Sequence, residues 1–190
     1  MAPSATSVRP SAPTTHGKPM YMDDIVVRPG AQAVLAVSRI SIGFIFLWAF
    51  LDKTFGLGFT TPSDRAWLNG GTPAQGYIGN LPPEQPLAEL FQSLFLNPFG
   101  DIVFMAGLLG IGVAMVTGAG LKIAAVSGTA LMVFMYLVAL PWVGEHGTNP
   151  ILDSHILEAL LLIIPAVTLA GDKWGLGKWW AAKVGNGWLR

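Results

Sequence analysis

Apolar residues fall into four long blocks. Ala31–Leu51 is 21 residues with one charge, Arg39. Ile102–Leu121 and Ile123–Gly144 carry no charge over 20 and 22 residues, and Ile151–Ala170 holds Asp153, His155 and Glu158 in its first half only. A helix needs about 20 apolar residues to cross a hydrocarbon layer. The pattern therefore predicts four spans, over 31–52, 98–118, 120–142 and 150–171. The intervening stretch from about Gly56 to Asn97 is too long for a plain connector. Within it Leu87, Leu90, Phe91, Leu94 and Phe95 recur at helical spacing, which predicts an amphipathic helix over 86–96. Together with the turn-rich segment around Trp67 and Tyr77, this helix is expected to pack over the mouth of the bundle.

Residues 1–30 are rich in Pro, Ser and Thr without apolar periodicity and are expected to be a disordered tail. The expected organisation is this tail, a membrane domain over 31–175, and an interfacial tail over 176–190. The first span is too long for a signal-peptide core and lacks a cleavage site, so it is expected to stay attached. Spans two and four begin alike, with Asn97-Pro98-x-x-Asp101 and Asn149-Pro150-x-x-Asp153. Asn suits the N-cap, Pro the first helical position, and Asp the positive end of the helix dipole. The fold class expected is all-α, an integral membrane four-helix bundle with a structured outer loop.

Composition agrees with a lipid setting. The chain is 52% hydrophobic and 12% charged, where soluble domains carry about 25% charged residues. Eleven acids and eleven bases cancel, which excludes a nucleic-acid binder with its basic excess. Zero cysteines exclude disulfides, iron–sulfur clusters and thiolate zinc sites. Arg9, Lys18, Arg28, Lys122, Lys173, Lys178, Lys183 and Arg190 gather on one side, against Lys53 and Arg65 on the other. The positive-inside rule then places both termini in the cytoplasm.

Charges inside spans are costly and point to sites. Arg39 shares a helical face with Gln32, Gly43, Phe46, Phe50 and Lys53, and His155 shares one with Glu158 and Leu162. Depths counted from the outer ends make Arg39–Glu158 the first buried pair to consider, with Lys53 to Glu158 or Asp153 second. Such a pair either fixes helix register or serves function. His155 and Glu158, with Glu145, His146 and Asp153 nearby, have a spacing that permits metal ligation. A di-iron bundle needs several more Glu and a second His, and His16 lies in the tail, so no metal set is assigned. Trp48, Trp67, Tyr77 and Trp142 suit an interfacial belt or the lining of a quinone pocket, with His155 donating to a ring carbonyl.

The run Arg39-x3-Gly43-x2-Phe46-x-Trp48-x3-Asp52-Lys53-x-Phe55-Gly56 resembles the first span of the DoxX/DoxD family of small membrane proteins. Trp67-Leu68-Asn69-Gly70-Gly71-Thr72-Pro73-x2-Gly76-Tyr77 is similar to the W-x-N-G-G-x-P segment of the DoxD-type branch. Asp153-x-His155-Ile156-x-Glu158-Ala159, with Ala170-Gly171-x2-Trp174-Gly175-Leu176, resembles the family's last helix and its exit. The resemblance covers roughly residues 31–180. It implies a four-helix bundle in a prokaryotic plasma membrane, associated with thiosulfate:quinone oxidoreductase beside a second membrane or peripheral subunit, or with oxidative-stress complexes. On this basis Arg39, Glu158 and His155 are the catalytic candidates, and Lys53, Trp67, Asn69 and Tyr77 the quinone-binding ones. Family membership alone does not fix activity. A non-catalytic scaffold and a small-solute or proton carrier are the competing expectations.

Overall fold

The computed structural model describes residues 18–143, 149 and 151–190, and these are wholly helical in their secondary structure. Seven α-helices follow in order: α1 (Pro29–Phe55), α2 (Pro73–Ile78), α3 (Ala88–Phe95), α4 (Pro98–Thr117), α5 (Leu121–Val138), α6 (Ser154–Val167) and α7 (Gly177–Val184). Three of them, α1, α4 and α5, are long and apolar enough to cross a membrane. Local chemistry sets their ends. Pro29 and Pro98 stand at the first helical positions, and the Asn97 side chain accepts the Gly100 N–H. Gly56 and Gly118 close α1 and α4 in the left-handed region, at φ 66° and 78°, where a residue without Cβ is unstrained.

The fourth apolar block gives a shorter helix than the expected 150–171. Asn149 turns its side chain onto the N–H groups of Ile151 and Leu152, both at 2.9 Å. A local side-chain turn of this kind competes with helix formation. The helix begins only at Ser154, capped by Asp153, which accepts from His155 and Ile156 N–H. The matching N-P-x-x-D motifs therefore start helices at different positions. At the other end Leu169 enters the left-handed region at φ 54°, leaving α6 with 14 residues, or about 21 Å. Residues 144–148 and Pro150 lie outside the described residues, and with them Glu145 and His146 of the considered metal set.

α1 packs closely against α4, α5 against α6, and the two pairs meet through α4–α5 and α1–α6. One core joins all four, from Ile42 and Phe46 of α1 through Met105, Leu108 and Met115 of α4 and Met132 of α5 to Leu162 of α6. α1 and α4 run antiparallel with backbones nearly touching. A Cβ on Gly43 would lie 2.7 Å from the Met115 Cβ, and one on Gly112 would lie 2.7 Å from the Leu47 nitrogen. α3 forms as expected, but its apolar stripe divides. Phe91 is buried edge-on against Phe134 of α5, with ring centroids 4.9 Å apart, while Leu90 and Leu94 stay exposed.

The disordered tail expected over 1–30 is folded from residue 18 onward, and residues 1–17 lie outside the description. Met22 is buried with Leu169 and Ala170, and its N–H donates to Asp172 at 2.8 Å. Gln32 donates to Asp23 and to the Val26 carbonyl. Lys178 and Gln32 together hold the Asp23 carboxyl below the usual carboxylate range. The Pro/Ser/Thr bias of the first 19 residues concealed the apolar anchor that follows. The 176–190 segment also folds back: Arg190 forms a buried ion pair with Asp172 at 2.9 Å and donates to the Met20 carbonyl. Both described ends therefore meet at one end of the molecule, the tail end; residues 56–97 form the opposite, loop end.

The α1–α4 contact is directly testable. Gly43→Ala forces overpacking, which typically costs about 1–3 kcal/mol. Gly110→Ala, on the same α4 but meeting nothing within 4 Å, is expected to be neutral or to stabilise by about 0.5–1 kcal/mol. Thermal melts of the purified variants in detergent rank the two.

Candidate functional site

Arg39 is completely buried (0% exposed). Its Nη1 donates to the carbonyls of Met115 and, at 2.8 Å, Val116; its Nη2 donates to those of Lys173 and Trp174 at 3.3 and 3.0 Å. The last four carbonyls of a helix have no partner within it, and in α4 all four are met. Gly118 N–H bonds Ala114, Arg39 bonds Met115 and Val116, and Leu176 N–H bonds Thr117 at 2.7 Å. The positive guanidinium also lies at the negative end of the α4 dipole.

The expected Arg39–Glu158 pair is not formed. Among the described residues no carboxylate comes within 4.0 Å of Arg39. The reason is register. α1 begins at Pro29, and the Gly43–Met115 contact sets Arg39 level with the end of α4 rather than midway along it. Glu158 lies nine residues, about 14 Å, before the end of α6 that faces this region. The alternative with Lys53 also fails. No described carboxylate is within 4.0 Å of Lys53, and the Asp153 carboxylate bonds His155 Nδ1 at 2.5 Å instead. His155 is thus tied to the cap of its own helix. No three of His, Asp and Glu cluster among the described residues.

A cavity of about 1370 Å³ opens between α4 and α5. Val103, Phe104, Gly107 and Ile111 of α4 face Ser127, Ala130, Leu131 and Phe134 of α5, at spacings that keep each set on one helical face. Gly107, Ser127 and Ala130 are too small to fill the seam, and this gives the cavity its depth. Residues 60–80 roof it, with Lys53, Asp64, Arg65, Asn69, Tyr77 and Asn80 around the mouth. Of the residues nominated from sequence, Lys53, Asn69 and Tyr77 come together here. Trp67 packs on the helix core beside it. Arg39, His155 and Glu158 do not line it. Tyr77 is 47% exposed, and the partial desolvation of its phenol at the mouth pushes it above its ordinary range, so at neutral pH it is protonated and able to donate.

Two carboxylates not recognised from sequence suspend the roof. Asp52, 1% exposed, accepts from the N–H groups of Phe59, Thr60 and Thr61 and from the Thr60 hydroxyl at 2.7 Å. Asp101, 4% exposed, accepts the Ala74 and Gln75 N–H groups at 2.7 and 3.1 Å and caps α2. The sequence reading assigned Asp101 to its own helix dipole and named Asp52 only within the first-span motif. The loop-end backbone of α5 is served similarly by buried Gln85, which donates to the Leu137 and Val138 carbonyls.

Compared with protein-family models, characterised proteins and solved structures, the chain matches none.

A buried polar group left without a partner costs about 1–3 kcal/mol, and Arg39→Met strands several carbonyls. A loss of at least about 3 kcal/mol is expected. Because Glu158 is not its partner, Arg39→Met and Glu158→Leu should add, with a coupling below about 0.5 kcal/mol. A double-mutant cycle of unfolding free energies measures this.

Proposed function

We propose that the chain is a four-helix membrane protein of the DoxX/DoxD type. On this reading it is the membrane subunit of a quinone-linked oxidoreductase, and the α4–α5 cavity is its quinone site. The supporting observation is the cavity itself: deep apolar walls beneath a mouth that holds the Lys53 ammonium and the Tyr77 phenol. Its volume exceeds the roughly 300–1,000 Å³ of ordinary ligand pockets, which suits a ring carrying an apolar chain. Exposed apolar side chains on the outward faces, including Phe44, Val113, Val126 and Leu160, fit contact with lipid. The proposed setting is a prokaryotic plasma membrane with the tail end cytoplasmic, in keeping with the basic residues gathered there.

The residues fit the group. Phe104, Leu131 and Phe134 would contact the ring and chain, Lys53 and Tyr77 would donate hydrogen bonds to the two ring oxygens, and Asn69 would hold the mouth through its bond to the Ser63 carbonyl at 2.7 Å. When bound, a quinone supplies the acceptor for two electrons and two protons. The electrons would come from a donor oxidised at the loop end or from a second subunit docked there; thiosulfate is the donor that the resemblance suggests. A scaffold without chemistry is the second reading, supported by the exposed Leu90, Leu94 and Phe99 at the loop end.

Purification in mild detergent, quinone extraction, and assay of thiosulfate-dependent quinone reduction test the proposal. Quinone should co-purify with the parent. Filling the seam by Ala130→Phe should reduce its content at least about tenfold. Lys53→Gln removes a charged hydrogen bond worth about 1.5–3 kcal/mol and should weaken binding about 10- to 100-fold. Tyr77→Phe should weaken it less. Tyr77 should add no pH dependence below about pH 10, because its folded pKa is raised and the phenol stays neutral through that range. Quinone content unchanged by Ala130→Phe would overturn the site and leave the scaffold reading.

A further inference from the structure

We propose that the tail end is a docking surface for anionic phospholipid headgroups, built by residues 18–28, the turn 169–176 and α7. This rests on the membrane reading above. The tail-end segments 18–28 and 169–190, with Lys122, carry seven basic residues and three acidic ones. All three acids already have internal partners. Asp172 pairs with Arg190, Asp23 with Lys178 at 3.1 Å, and Asp24 accepts the Tyr21 N–H. Lys122 donates to the Asn186 and Gly187 carbonyls. Lys18, Arg28, Lys173 and Lys183 then have no carboxylate within 4.0 Å among the described residues. The loop end has the opposite balance, with two basic and five acidic residues over 52–101. The tail end alone complements a negative leaflet.

Its apolar groups fit the same depth. Trp174, Trp179 and Trp188 are 59%, 56% and 61% exposed. The Lys183 ammonium lies 4.8 Å from the Trp179 ring and that of Lys173 lies 5.9 Å from the Trp174 ring. Rings beside ammonium groups satisfy both parts at headgroup level, whereas in water the three exposed rings stay uncovered. The presentation is also constrained by the backbone. Trp174 is held at φ 52°, a conformation disfavoured for a bulky residue. Its carbonyl is bound to Arg39 while its ring faces outward.

Each basic residue close to an anionic surface is worth about a fivefold preference. The full chain is reconstituted into mixed phosphatidylglycerol and phosphatidylcholine vesicles, with one lipid or the other brominated, and tryptophan quenching is read. Brominated phosphatidylglycerol should quench at least about twice as strongly as brominated phosphatidylcholine at equal mole fraction, and high salt should shrink the excess. Lys173→Gln/Lys183→Gln should bring the ratio close to one. Trp174→Phe/Trp179→Phe/Trp188→Phe should remove the excess while retaining quenching common to both lipids. Equal quenching of the parent by the two lipids, or an excess that survives the lysine changes, overturns the proposal and leaves this face to an acidic protein partner. Quenching by neither lipid defeats the membrane reading itself and is distinguishable from the first outcome. Neither result bears on quinone content.

Discussion

A carbonyl at the end of a helix cannot be left bare where water is excluded, and the arrangement at Arg39 follows from that constraint. One guanidinium serves the end of α4 and the turn that follows α6. It reaches both only because α1 and α4 lie close enough for Gly43 and Gly112 to sit against opposing backbone. Register, close packing and the folded tail are thus mutually dependent. Two residues without glycine's freedom, Leu169 and Trp174, remain in the left-handed region because the carbonyls and apolar groups around them are held in place by that network.

The loop end meets the same constraint with acceptors and amides. Asp52 gathers the N–H groups of 59–61, Asp101 caps α2, and Gln85 closes α5. These bonds, local at Asp52 and long-range at Asp101 and Gln85, tie the connection over 56–97 to α1, α4 and α5. The cavity lies beneath this roof. Its lid is hydrogen-bonded, whereas its walls are side chains of the α4–α5 seam. The charged half of α6 stands apart from it, so chemistry proposed for the cavity does not need His155 or Glu158.

Much of the helical layout was legible because it is local. Uninterrupted apolar runs and Asn-Pro or Gly punctuation place α1, α4 and α5 within a few residues, and the Leu/Phe spacing places α3. The failures are equally physical. Arg39 binds backbone carbonyls, which leave no mark in the sequence, so matching opposite charges pointed to Glu158. The start of α6 depended on Asn149 choosing a local turn over a cap. The cavity rests on Gly107, Ser127 and Ala130, small residues that look the same whether helices close over them or stay apart. Lys53, Asn69 and Tyr77 were nominated by position and resemblance, and only the tertiary arrangement gives them a shared neighbour.

The brevity of α6 has a mechanical consequence. At 14 residues it is about 21 Å long, against about 30 Å for α4 and a hydrocarbon core of similar thickness. Tilting shortens a helix that is too long; it cannot lengthen one that is too short. On the proposed reading, in which α6 spans with its three neighbours, the lipid beside it would have to compress, or Asp153 and the turn at 168–172 would be drawn toward the acyl chains. The deformation would be confined to one flank of the molecule. A thinner or more compliant patch of membrane, or another protein covering that flank, would relieve it, so lateral association would favour the side bearing α6.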